Sequence, residues 1–212
     1  MGDANKATVS GMSKFPKNAT HEVVTSGYRS QFVSQIEPKY AELARARVLY
    51  GANNGSAVGL ANVAAIPTTT ASYALYNGSA TKFAVVLKIA AICTTVTAPT
   101  EFALIAGLSP TPQGSAETKY ASSLSLPITP GSPDAESYLT DAVTLAGTPL
   151  WLTLGSHTAT TPLLGGAVTA WVDGIFIVPP AYALGIDIVG SGGTTPLFDV
   201  DVLWAELDME LG

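Results

Sequence analysis

From about residue 67 onward, short apolar or alternating runs are divided by Gly, Pro, Asn, Asp and Thr. Period-two alternation bounded by turn residues reads as strand. The pattern predicts strands near 71–77, 81–97, 101–108, 121–127, 137–144, 149–155, 167–173, 175–179, 183–189 and 197–210. Two dipeptides stand between such runs. Asn77-Gly78 divides "SYALY" from "SATKFAVVLKIAAI", and Asp173-Gly174 divides "AVTAWV" from "IFIVPP". Both pairs tolerate positive φ and suit two-residue hairpins, so both are expected as hairpin turns. The last run, "LFDVDVLWAELDMEL", places Phe198, Val200, Val202, Trp204, Leu207 and Met209 near one face, with a slip around Ala205. Asp199, Asp201, Glu206, Asp208 and Glu210 take the other face. A half-buried strand with an acidic outer side is the simplest account. Many short strands with long polar loops at 109–119, 127–135 and 155–166 predict a mainly β chain: an antiparallel, jelly-roll-like β-sandwich over 67–212.

The N-terminal part reads differently. Residues 1–35 are polar, with short apolar pieces at Val23-Val24 and Phe32-Val33, and are expected as an extended arm that packs on other subunits. Residues 36–66 are expected as a helix and linker. In "IEPKYAELARARVLYGANNG", Pro38 and Glu37 suit a first helical turn. Tyr40, Leu43 and Arg47 share a face, with Ala44 and Val48 beside it, and Gly51 is the expected stop.

Charge sharpens the picture. Charged residues are 12% of the chain, about half the usual ~25%. A surface this poor in charge fits a subunit that buries much of itself against its own copies. Residues 1–50 carry seven basic and four acidic residues, net +3. Residues 51–212 carry three and twelve, net −9. The basic residues are too spread out for a nucleic-acid arm, whose affinity grows with the phosphates it neutralises. Residues 51–100 hold only Lys82 and Lys88, and 142–172 hold no charge apart from any on His157. No run is long and apolar enough for a membrane span, and the N-terminus lacks the apolar stretch of a signal peptide.

Candidate chemistry is sparse. Cys93 is the single cysteine and sits in an apolar run as a small buried hydrophobe. His21-Glu22 opens like a zinc-protease motif but "HEVVT" lacks the second histidine. His157 reads as a solvated loop side chain. Asp199, Asp201 and Glu206 carry hard oxygen ligands suited to Ca²⁺, but strand neighbours do not wrap an ion. Asn18, Asn54 and Asn77 each open an Asn-x-Ser/Thr glycosylation acceptor, and at Asn77 the hairpin reading is preferred. Trp151 and Trp171 lie in strand patterns and are expected in the core rather than on a sugar platform. No phosphate loop, dinucleotide fingerprint or nucleophile elbow occurs. The expectation is no enzyme, no catalytic or metal residue and no cofactor.

The Ala/Thr/Gly-rich strands, the segments "ALYNGSATKF" and "AWVDGIFIVPP", and the closing "FDVDVLWAELDMEL" resemble the jelly-roll modules of viral and phage virion proteins: capsid, head-fibre and decoration subunits. "IVPPAYALGIDIVGSGGTTPLFDVDVLWAEL" also resembles the closing strands of trimeric jelly rolls of the tumour-necrosis-factor and complement-globular type. The resemblance covers residues 67–212. It implies a structural subunit of a virion or similar homo-oligomeric assembly, with a trimer or larger particle as partner set; the arm at 1–35 lies outside the resemblance and is expected, from its polar composition, to join neighbours. It implies no catalytic residues. The alternative is a receptor- or carbohydrate-binding β-sandwich of a fibre or extracellular protein.

Overall fold

The computed structural model describes residues 24–25, 31–32, 40–53, 59–95, 100–110, 122–123, 137–159, 165–191 and 196–208. The chain divides into two compact units, Met1–Lys39 and Tyr40–Gly212. In the first, β1 (Val24–Thr25) pairs antiparallel with β2 (Gln31–Phe32). The rest of the expected arm lies outside the described residues.

The second unit holds, in chain order, α1 (Ala41–Arg45), β3 (Leu49–Asn53), β4 (Leu60–Ala61), β5 (Thr70–Asn77), β6 (Lys82–Cys93), β7 (Glu101–Ser109), β8 (Ser122–Ser123), β9 (Ser137–Thr144), β10 (Leu152–Thr158), β11 (Ala167–Trp171), β12 (Ile177–Val178), β13 (Ala183–Gly190) and β14 (Leu197–Asp208). Two antiparallel sheets form a sandwich. The five-stranded sheet runs β10-β7-β13-β5-β9. The seven-stranded sheet runs β11-β6-β14-β3-β8, with β12 also on β6 and β4 also on β14. The chain passes from β5 across to β6 and back to β7, and later from β11 to β13 to β14 in the same alternating way. This is the winding of a jelly roll. Leu75, Leu104, Leu184, Ile186 and Ile188 from one sheet meet Val86, Ile89, Phe198, Val200 and Trp204 from the other. Fully burying each such side chain contributes about 1.5–3 kcal/mol. Tyr73 ties the layers together: its hydroxyl donates to the Phe198 carbonyl and accepts from the Leu60 N–H.

Both expected hairpins are corrected. β5 and β6 lie in different sheets, so Asn77-Gly78 is a corner between layers. The Asn77 side chain is buried and holds that corner. Its Nδ2 donates to the Lys82 and Val178 carbonyls, both at 2.8 Å, and its Oδ1 accepts from the Ser79 N–H at 3.0 Å. Buried in this way, Asn77 is closed to glycosylation in the folded chain. At Asp173-Gly174 both residues do take positive φ, 44° and 86°. Yet β11 and β12 pair with the same neighbour, β6, not with each other. The turn is an excursion along one sheet edge.

The helix is also shorter than expected. Left-handed residues bracket it, Tyr40 at φ 68° and Arg47 at φ 60°. Residues 49–53, expected as helix end and linker, form β3 against β14, with Gly51 opposite Leu203. The sandwich therefore begins before residue 67. Five residues are too few for a helix to persist on propensity, and the ladder on β14 takes the rest. Tyr40, Leu43 and Ala44 pack on Leu49, Leu87 and Ala205, covering one end of the seven-stranded sheet's outer side.

Candidate interaction surface

The chemistry-bearing residues do not converge. Cys93 is buried as expected, with its thiol 3.6 Å from the Thr95 carbonyl oxygen. His157 is in β10, not a loop, and its ring lies 5.2 Å from that of Phe102. His21 lies outside the described residues. Among the described residues, no group of three His, Cys, Asp or Glu side chains is placed to hold a metal ion. No helix among them is long and apolar enough to cross a membrane.

The carboxylates divide in a way the alternation did not predict. Asp201 and Asp208 are exposed, but Glu206 is buried beside the Asn77 corner, where it accepts from the Ser137 N–H at 2.8 Å. The expected slip at Ala205 does not occur. Phe198, Val200, Val202, Trp204 and Glu206 all point inward in one unbroken alternation, which sends Leu207 outward. The irregularity lies across the ladder in β6: Leu203 pairs Lys88 and Trp204 pairs Val86, leaving Leu87 as the extra residue. A second buried carboxylate, Asp187, was not singled out by the sequence. It sits on the outer side of β13, and the Ser72 N–H donates to its two oxygens at 3.2 and 3.3 Å. Burial pushes its carboxyl up to about 6; removing the charge from water outweighs the hydrogen bonds that favour it.

What the fold does assemble is surface. β10 ends the five-stranded sheet and β11 ends the seven-stranded one, and the two lie against each other. A Cβ on Gly155 of β10 would come within 2.9 Å of Val168 of β11, so glycine permits that approach. Among the described strands, β10 pairs only with β7 and β11 only with β6. The uncharged stretch 142–172 thus supplies both open edges on one flank. Natural edges are usually guarded by charge. Here the guards are a bulge between Thr153 and Gly155 and the shortness of β11.

Two groups of exposed apolar side chains adjoin this flank. The first is on the seven-stranded side, at the β11–β12 edge: Trp171 is 57% exposed, Ile175 72% and Ile177 47%. The expectation that Trp171 is core is corrected. In β11, Val168 and Ala170 point inward, so Trp171 faces out, with Tyr40 stacked at 6.2 Å and the Lys88 ammonium 6.0 Å from the ring. Tyr40 also donates to Asp173, fastening α1 to this edge. The second is on the outer side of the five-stranded sheet, with Ile66 59% exposed and Leu150 80%; Leu152, 40% exposed, pairs with the core residue Ala106 and so faces the other way, toward the space between the sheets. Segment 145–151 crosses the outer side of that sheet. A Cβ on Gly107 would strike the Leu150 backbone and Pro149, and Trp151 donates to the Pro67 carbonyl at 2.8 Å, bringing Ile66 alongside. Trp151 is therefore a cap over the sheet rather than a strand residue of the core. The chain matches no family model, no curated protein and no solved structure.

Proposed function

We propose that this chain is a structural subunit of a large homo-oligomeric assembly, such as a virion capsid, decoration or fibre protein, built on a closed trimer. The observation that carries the reading is the β10/β11 flank. It places two open strand edges side by side in a stretch without formal charge. Such a surface invites strand pairing with other chains, and symmetric self-association is the usual way to cover it. The low overall charge and the jelly-roll winding support the same reading. Residues 1–35, with their excess of basic over acidic side chains, join one closed oligomer to the next in this proposal. Sedimentation equilibrium and native mass spectrometry of the full chain at micromolar concentration test it. A particle of at least three 21.7 kDa chains is expected; a monomer overturns the reading.

A second reading, a receptor- or carbohydrate-binding module, has the exposed Trp171 ring in its favour, since pyranose rings stack on such platforms. Tyr40 and Lys88 already occupy part of that ring's surroundings. A monomer whose tryptophan fluorescence responds to glycans would favour it over the assembly.

A further inference from the structure

We infer that copies of this chain join head to tail, with the Trp171/Ile175/Ile177 patch of one copy seated on the Ile66/Leu150 patch of the next. This rests on the assembly reading above and names its contact. Nine large apolar side chains are exposed among the described residues, and five of them fall into these two patches. The patches belong to different sheets, so they lie on different sides of the sandwich.

Size supports the match. Each patch presents apolar surface on the order of 300 Å², similar to the largest patch of a typical monomer. Mating one with the other removes about 600 Å² of apolar surface from water. Interfaces are roughly 60% apolar, so a total near 1,000 Å² follows, about the lower bound for a biological contact; each copy makes two such contacts, so a closed assembly adds them. Coverage decides between arrangements. A two-fold contact of the first patch with itself leaves the second open, and the reverse holds for the second. Only the unlike pairing covers both patches with a single kind of contact. Unlike pairing is heterologous, and where its rotation closes it generates a ring, the arrangement that fits the closed oligomer proposed above. Charge raises no obstacle: the second patch lies beside and within the uncharged stretch 142–172, so Lys88 and Asp173 at the first meet no like charge there.

The test uses the full chain with Ile175→Asp in one variant and Leu150→Asp in another. Both positions are more than two-thirds exposed, so the new carboxylate is solvated in an isolated subunit. Ile175→Ser and Leu150→Ser replace them if either fails to fold, as judged by circular dichroism. Native mass spectrometry reads the result. The wild type assembles, each variant alone is monomeric, and an equimolar mixture of the two forms a dimer of twice 21.7 kDa. That dimer arises because each variant retains the patch its partner lacks, and it cannot grow further through these two patches. A variant that dimerises by itself shows a like-with-like contact and overturns this inference while leaving the assembly reading intact. Variants that keep the wild-type mass also overturn it. A monomeric wild type overturns the assembly reading itself, and the inference with it.

Discussion

Replacing Asp187 by Asn isolates the free energy of one buried charge. Asp187 is 1% exposed, on the outer side of β13. Two residues away on the same side, a Cβ on Gly185 would touch Leu145 and Trp151, so segment 145–151 roofs this part of the sheet. Burial raises the Asp187 carboxyl from 3.8 to about 6. The folded chain therefore holds this proton more tightly than the unfolded chain. The resulting stabilisation is fully present below about pH 4 and is lost as pH rises through 6. Two units at about 1.4 kcal/mol each amount to about 3 kcal/mol. Asn has nearly the same shape, keeps one acceptor for the Ser72 N–H and does not titrate. Urea unfolding of both proteins at one protein concentration, from pH 3.5 to 8, measures the effect. The stability of Asp187→Asn relative to wild type is expected to rise by about 2.5 kcal/mol between pH 4 and pH 7.5, most of the full linkage. Subtracting one protein from the other removes the shared titrations of the remaining carboxylates. A difference that stays flat within about 0.5 kcal/mol over that range would refute the reasoning, because an Asp187 open to water would titrate alike in both states.

Other substitutions probe the corner and the core. Asn77→Ala is expected to cost about 2–4 kcal/mol in chemical denaturation, because it strands the Lys82 and Val178 carbonyls in a buried corner. Tyr73→Phe is expected to cost about 1–3 kcal/mol, since the Leu60 N–H and Phe198 carbonyl lose their shared hydroxyl. Gly174→Ala is expected to lower stability by about 1 kcal/mol, with φ at 86° and Val85 Cγ1 3.3 Å from the new methyl. A chain beginning at Tyr40 is expected to keep the wild-type circular dichroism of its strands but to form particles no larger than one closed oligomer; native-sized particles from it would show that the first unit does not link them.

Strand positions were legible in the sequence because alternation is a local signal. The runs at 71–77, 101–108, 137–144, 183–189 and 197–210 fall on β5, β7, β9, β13 and β14 to within one or two residues at each end. Low charge and the bare stretch at 142–172 were legible too, and the fold turns that stretch into two sheet edges. Partner choice was not legible. Alternation reports that a strand has two faces but not which sheet takes it. Asn77-Gly78 therefore had the composition of a hairpin and became a corner, because β5 finds its neighbours in β13 and β9 while β6 finds β14. Residues 49–53 had the spacing of a helix and became β3, because β14 offered them a ladder. Glu206 turns inward because the ladder's irregularity falls in β6 and leaves the alternation of β14 unbroken, and Trp171, on the outer face of β11, stays uncovered because β11 lies at a sheet edge. Both are relations between segments more than a hundred residues apart for Glu206 and about eighty for Trp171, and only the tertiary structure brings those segments together.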